Sequence, residues 1–185
     1  MPNMKKITLY DKTFKTYIPF ECFVKDIDRV AAQINDDFRD SGEIPLILCT
    51  LNGALPFTAE IMMRFDFPCE LSSVKVSSYV GTQTTGNVQL KQPITANLKG
   101  RTVIIVEDIV ESGHTMNFLR NFLKEQGAKD VKICTLFYKP DAFLYKDKFE
   151  LDYAARIIQN QFIVGFGLDY RELGRNFRDI YILDE

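Results

Sequence analysis

Histidine is almost missing from this 185-residue sequence, cysteine is sparse, and neither sign of charge is in excess. The single histidine, His114, gives Cys22, Cys49, Cys69 and Cys134 little to complement them as metal ligands, and no two of the four stand in a CxxC spacing. That pattern argues against zinc. The cysteines read instead as small buried hydrophobes of a reducing compartment. Lys and Arg number 23 against 25 Asp and Glu, a formal charge of -2, so the chain lacks the broad positive field that a phosphodiester backbone selects. No nucleic-acid partner is expected. Apolar runs long enough to cross a bilayer are absent, and the N-terminal stretch turns polar at Asp11, too soon for a signal-peptide core. The expectation is a cytoplasmic protein with no membrane partner.

What is present is the composition of a folded globular chain, with 46% hydrophobic and 26% charged residues. The length suits one domain over residues 1–185. From Glu21 to Asp40 the apolar positions Phe23, Ile27, Val30, Ala31, Ile34 and Phe38 recur at spacings of three and four, which predicts an amphipathic helix. Pro45 to Thr50 is a short apolar run suited to a strand covered on both faces. A tight connection, Leu51 to Ala54, then leads to a helix over Leu55 to Phe65. Leu71 to Ser78 alternates as a strand. Tyr79 to Gln89 has two glycines and no apolar period, which predicts a mobile loop.

Thr102 to Val106 is intensely β-prone, Thr115 to Gln126 reads as a helix closed by Gly127, and Val131 to Tyr138 as the next strand. This alternation implies right-handed crossovers and an α/β fold with a central parallel sheet flanked by helices. The last third differs. Tyr153 to Ile158 and Phe162 to Gly167 are short β-prone runs around Gln159 to Gln161, expected as a hairpin-like appendage.

Ligands of open parallel sheets bind beyond the carboxyl ends of the strands. There the chain presents Val103-Ile-Ile-Val-Glu-Asp-Ile-Val-Glu-Ser-Gly-His-Thr115. Glu107 and Asp108, costly if simply buried, suit a metal or a polyhydroxyl ligand. Ser112, Gly113, His114 and Thr115 open a helix with free backbone N–H groups and hydroxyls, a cradle for a phosphate at the positive end of the helix dipole. Acids beside a phosphate cradle agree when the ligand carries a phosphate at one end and a Mg²⁺-bound diol or pyrophosphate at the other. The bland alternative makes the acids solvated and Ser112 to Thr115 an ordinary helix cap.

The whole string resembles the phosphoribosyl pyrophosphate (PRPP) motif of the purine phosphoribosyltransferases, in particular the hypoxanthine (hypoxanthine-guanine) branch. The likeness runs from about Leu46 to Leu183. It implies the type I phosphoribosyltransferase fold, with a small hood built from the terminal segments. Leu51, Asn52 and Gly53 look like the family's pyrophosphate loop, whose non-proline cis peptide would here join Leu51 to Asn52. Many relatives carry lysine at Asn52.

Ser78 and Tyr79, with the run behind them, resemble the family's lid. Lys139 matches the lysine that donates to purine O6. Phe162 matches the stacking aromatic, Ile163 the residue whose carbonyl reads the base edge, and Asp169 an aspartate on a second Mg²⁺. Arg175 matches the arginine on pyrophosphate.

By the same resemblance, Glu107 and Asp108 hold the ribose hydroxyls or their Mg²⁺. Glu111, where most relatives have aspartate, is the acid facing purine N7 and the candidate general base. His114 falls where relatives vary. The implied activity is phosphoribosyl transfer from PRPP to a 6-oxopurine in purine salvage by a homo-oligomer, dimer or tetramer. Two alternatives remain at this point: a non-catalytic nucleotide-sensing regulator of the same fold, and a transferase preferring xanthine. Lys139 as a donor disfavours adenine, which presents an amino group in place of O6.

Overall fold

The computed structural model describes residues 5–78 and 88–184. Six strands form the main sheet: β3 (Leu46–Leu51), β4 (Glu70–Ser78), β5 (Val88–Gln92), β6 (Thr102–Val110), β7 (Asp130–Tyr138) and β8 (Tyr153–Ile157). Their order is β5-β4-β3-β6-β7-β8, parallel throughout except for the antiparallel edge strand β5. Because successive side chains of a strand point to opposite faces, the apolar run of β6 feeds two cores. Ile104 and Val106 pack with α1 (Phe20–Phe38) and α2 (Leu55–Met62). Val103 and Ile105 pack with Leu119 and Leu123 of α3 (His114–Glu125) on the other face.

The helix α1 forms as its spacing predicts, burying Phe23, Ile27, Val30 and Ile34 completely. Pro19 sits at its N-cap with φ −61°, an angle its ring already fixes. Each buried side chain of that size contributes about 1.5–3 kcal/mol relative to exposure. A second, four-stranded antiparallel sheet caps the carboxyl edge of the first. It orders β1 (Lys6–Leu9), β2 (Lys12–Ile18), β10 (Ile180–Leu183) and β9 (Ile163–Val164) as β1-β2-β10-β9, so both chain ends meet in the expected hood. Among the described residues no helix is long and apolar enough to cross a membrane.

Three expectations need correction. The strand β6 continues to Val110, because Ile109 and Val110 still pair with Phe137 and Tyr138, so Glu107 and Asp108 are strand residues and not loop residues. The runs around 153 and 162 make no hairpin. β8 extends the parallel sheet beside β7, while β9 joins the hood against β10, since each finds a better backbone partner than the other. Val88 and Gln89 belong to β5, paired with Ser78 and Ser77, and the rest of the expected lid, Tyr79 included, lies outside the described residues.

Candidate active site

Three adjacent parallel strands, β3, β6 and β7, deliver their carboxyl ends to one place. At the end of β3 the Leu51–Asn52 peptide is cis. Gly53 follows, and a Cβ there would lie 1.8 Å from Asp108 Oδ2. A Cβ on Gly167, which takes φ +100°, would lie 1.9 Å from the Gly53 carbonyl oxygen. Only glycine at both positions lets the β3 turn, the β6 carboxylate and the C-terminal loop approach so closely.

The two acids of β6 are half-buried. Thr50 Oγ1 is 2.7 Å from the Val106 carbonyl oxygen and 2.8 Å from Glu107 Oε1. A hydroxyl has one proton and the carbonyl can only accept, so a protonated Glu107 satisfies both contacts. Burial first, and the charge of Asp108 second, push the Glu107 carboxyl well above its ordinary range. Burial also raises Asp108, against its hydrogen bonds and the charge of Arg175. This destabilised pair of carboxyls is the arrangement that a divalent cation or a diol would relieve.

Arg175 anchors the opposite wall. It donates through Nη1 to the Gly167 carbonyl (2.8 Å), and Nη2 meets Asp169 at 2.7 Å and Glu172 at 3.0 Å. Its Nε is buried without a hydrogen-bond partner.

Beyond β6, Gly113 takes φ +82° and turns the chain into α3. A Cβ at Gly113 would stand 2.4 Å from the ring of Phe143, so this turn too requires glycine. The ordinary explanation of Ser112 and Thr115 as a helix cap fails, because the N-cap is Gly113 and no side chain caps α3. The first N–H groups of a helix have no carbonyl partner within it. They border a hollow of about 100 Å³ lined by residues 107 and 109–116, small, polar and at the positive end of the helix.

The exit of β7 supplies Lys139, buried to 4% exposure, whose Nζ donates to Glu111 Oε1 at 2.8 Å. Its backbone N–H also bonds to the Val110 carbonyl (3.0 Å), which ties the start of the Lys139 segment to the residue before Glu111. Phe162 is 49% exposed and is therefore not core; its ring neighbours are Phe14 of the hood and Tyr170. Ile163 is buried in β9, and Ser78 closes β4.

The structure thus gathers Gly53, Asp108, Asp169 and Arg175 on one side and Glu111 to Thr115 with Lys139 on the other, joined through β6. The ring contacts of Phe162 run to Phe14 and Tyr170 and not to either group. Sequence reading passes over Thr50, Gly167 and Tyr145. Thr50 and Gly167 carry a faint signal, a polar residue ending an apolar strand and a Gly-x-Gly spacing, whereas Tyr145 carries none.

The family model for the phosphoribosyl transferase domain matches residues 20–171, and the chain belongs to that family. Within it, the resemblance is to the enzymes of hypoxanthine and guanine. The hypoxanthine-guanine phosphoribosyltransferase of Streptococcus pyogenes is 39% identical over 163 residues, 88% of each chain. That of Streptococcus pneumoniae is 40% identical over 158 residues, covering 85% of this chain and 86% of its own. The crystal structure of a hypoxanthine-guanine phosphoribosyltransferase from Bacillus anthracis, with HEPES in its active site, superposes with a TM-score of 0.84. It is 34% identical, and the match covers 91% of this chain and 98% of that one.

Proposed function

We propose that this chain transfers the 5-phosphoribosyl group of PRPP to N9 of a 6-oxopurine, hypoxanthine and also guanine, forming IMP or GMP and pyrophosphate for purine salvage. The observation that carries the reading is the Lys139–Glu111 pair, whose Glu111 lines the phosphate hollow. A buried ammonium beside a carboxylate complements a 6-oxopurine edge, with O6 accepting from Lys139 and N7–H donating to Glu111.

In the reaction the N9 lone pair bonds to C1′ as the C1′–O bond to pyrophosphate breaks, and Glu111 takes the N7 proton. The ribose passes through carbocation character, so stabilising the leaving group and orienting N9 are the main tasks. Residues 112–115 hold the 5′-phosphate. Leu51, Asn52 and Gly53 offer backbone to the pyrophosphate and Arg175 its guanidinium, whose unpartnered Nε fits an anion-binding role. Phe162, half exposed, is available to stack on the base, and the Ile163 carbonyl to read its edge. Ser78 and Tyr79 begin the lid.

Mg²⁺ is the expected cofactor. Among the described residues no three His, Cys, Asp or Glu side chains converge into a closed metal cage. Separate carboxylates suit a cation that keeps water and substrate phosphate oxygens in most of its positions. Glu107, Asp108 and Asp169 would hold it, and it would neutralise the departing pyrophosphate. A single domain, a cytoplasmic setting and a dimer or tetramer complete the proposal; light scattering on the eluted protein measures the last, and a monomeric mass would refute it. The activity is tested by incubating hypoxanthine with PRPP and Mg²⁺. IMP should appear and should vanish when EDTA removes the metal, whereas no IMP under either condition rejects the reading.

A further inference from the structure

The segment after Lys139 is fastened to the phosphate loop at every step. The Leu144 N–H donates to the Ser112 carbonyl at 3.2 Å. The Phe143 ring fills the space where a Gly113 side chain would be. The Tyr145 hydroxyl lies 2.7 Å from Nδ1 of His114, the first residue of α3, with the two rings edge to face. Tyr145 is itself locked in an aromatic cluster, stacked on Phe149 at 6.0 Å and touching Phe143, while Lys148 covers its ring. His114 lines both the phosphate hollow and a second hollow that it shares with Tyr145. The imidazole thus stands between a rigid aromatic support and the loop that the support backs.

We propose that Tyr145 is a positioning residue for the 5′-phosphate cradle, acting through its hydroxyl–Nδ1 hydrogen bond to His114. The inference rests on the reading of residues 112–115 as that cradle. Backbone donors bind a phosphate well only when their directions are fixed beforehand, because ordering them at the moment of binding costs affinity. No side chain caps α3, so the His114 contact restrains the turn where a capping side chain would otherwise do so. Recognition would then depend on a residue that touches no substrate.

Calorimetry on the full chain tests this with three probes: PRPP, IMP and inorganic pyrophosphate, each with Mg²⁺. The Tyr145→Phe variant, which keeps the ring and removes the hydroxyl, should weaken PRPP and IMP about three- to tenfold, the loss of one ordinary hydrogen bond. Pyrophosphate, which has no 5′-phosphate, should bind as before. His114→Phe should give the same loss, and the double variant no more than either single one, because both remove one interaction. Unchanged PRPP affinity in Tyr145→Phe overturns the proposal. So does equal weakening of all three probes, which would mark Tyr145 as merely structural, or additive losses, which would show that His114 is not the route. Failure of the unaltered protein to bind PRPP or IMP would instead remove the cradle reading itself.

Discussion

Glu111 stands where the resemblance leads one to expect aspartate, and its carboxylate accepts from Lys139. On the proposed mechanism, replacing it with glutamine removes the proton acceptor while leaving residues 112–115 intact. Glu111→Gln should lower kcat by about a hundredfold or more with PRPP affinity nearly unchanged, read by steady-state kinetics and calorimetry. Unaltered turnover would take the residue out of its role. Glu107 makes the opposite trade. Two neighbouring half-buried carboxyls are unfavourable in the ligand-free protein, so Glu107→Gln should raise its Tm by a few degrees while lowering turnover. A lower Tm would show that the acid stabilises the fold. At this scale residue type alone marked the candidates, the acids of β6 and the Ser-Gly-His-Thr turn, and the fold brings Glu107 and the turn to the border of one hollow. Thr50 and Tyr145 were not marked, because their meaning lies in partners 57 and 31 positions away.

Among the elements, buried helices and parallel strands declared themselves by period, and α1 follows its predicted stripe almost residue for residue. The hood did not. Its strands pair across nearly the whole chain, Phe14 opposite Leu183, and β9 is two residues long, so no local pattern could reveal the partner. The end of β6 was misjudged for a related reason: acids usually mark a strand's exit, but here the ladder with β7 carries the backbone three residues past Glu107.

The hood's seam is partly electrostatic. Asp184 meets Lys6 at 2.5 Å and Lys15 at 3.0 Å, and hydrogen bonds from these two lysines hold its carboxyl below the usual range. A depressed carboxyl contributes stability above its unfolded value, and that contribution is lost as pH falls through the folded value. Asp184→Asn should therefore lower the melting temperature slightly at pH 7, and the gap should close as the pH drops below about 4. A gap that persists in acid would locate the effect in packing instead of charge.

Taken as a whole, the molecule places a restrained α/β sheet under a hood whose strands come from both chain ends, with the phosphate hollow and Lys139 at the carboxyl edge of the sheet. On the proposed function, chemical choice falls to one small set of groups: residues 112–115 as the cradle for the 5′-phosphate, with Lys139 as donor and Glu111 as acid toward the base. On that reading Lys139 alone reads the six position of the purine, so the account stands or falls on which bases react. The direct measurement is pyrophosphate release with PRPP and Mg²⁺ across hypoxanthine, guanine, xanthine and adenine. Release with hypoxanthine and guanine but not adenine is the expected result. Release with adenine alone, or with no base, would contradict it.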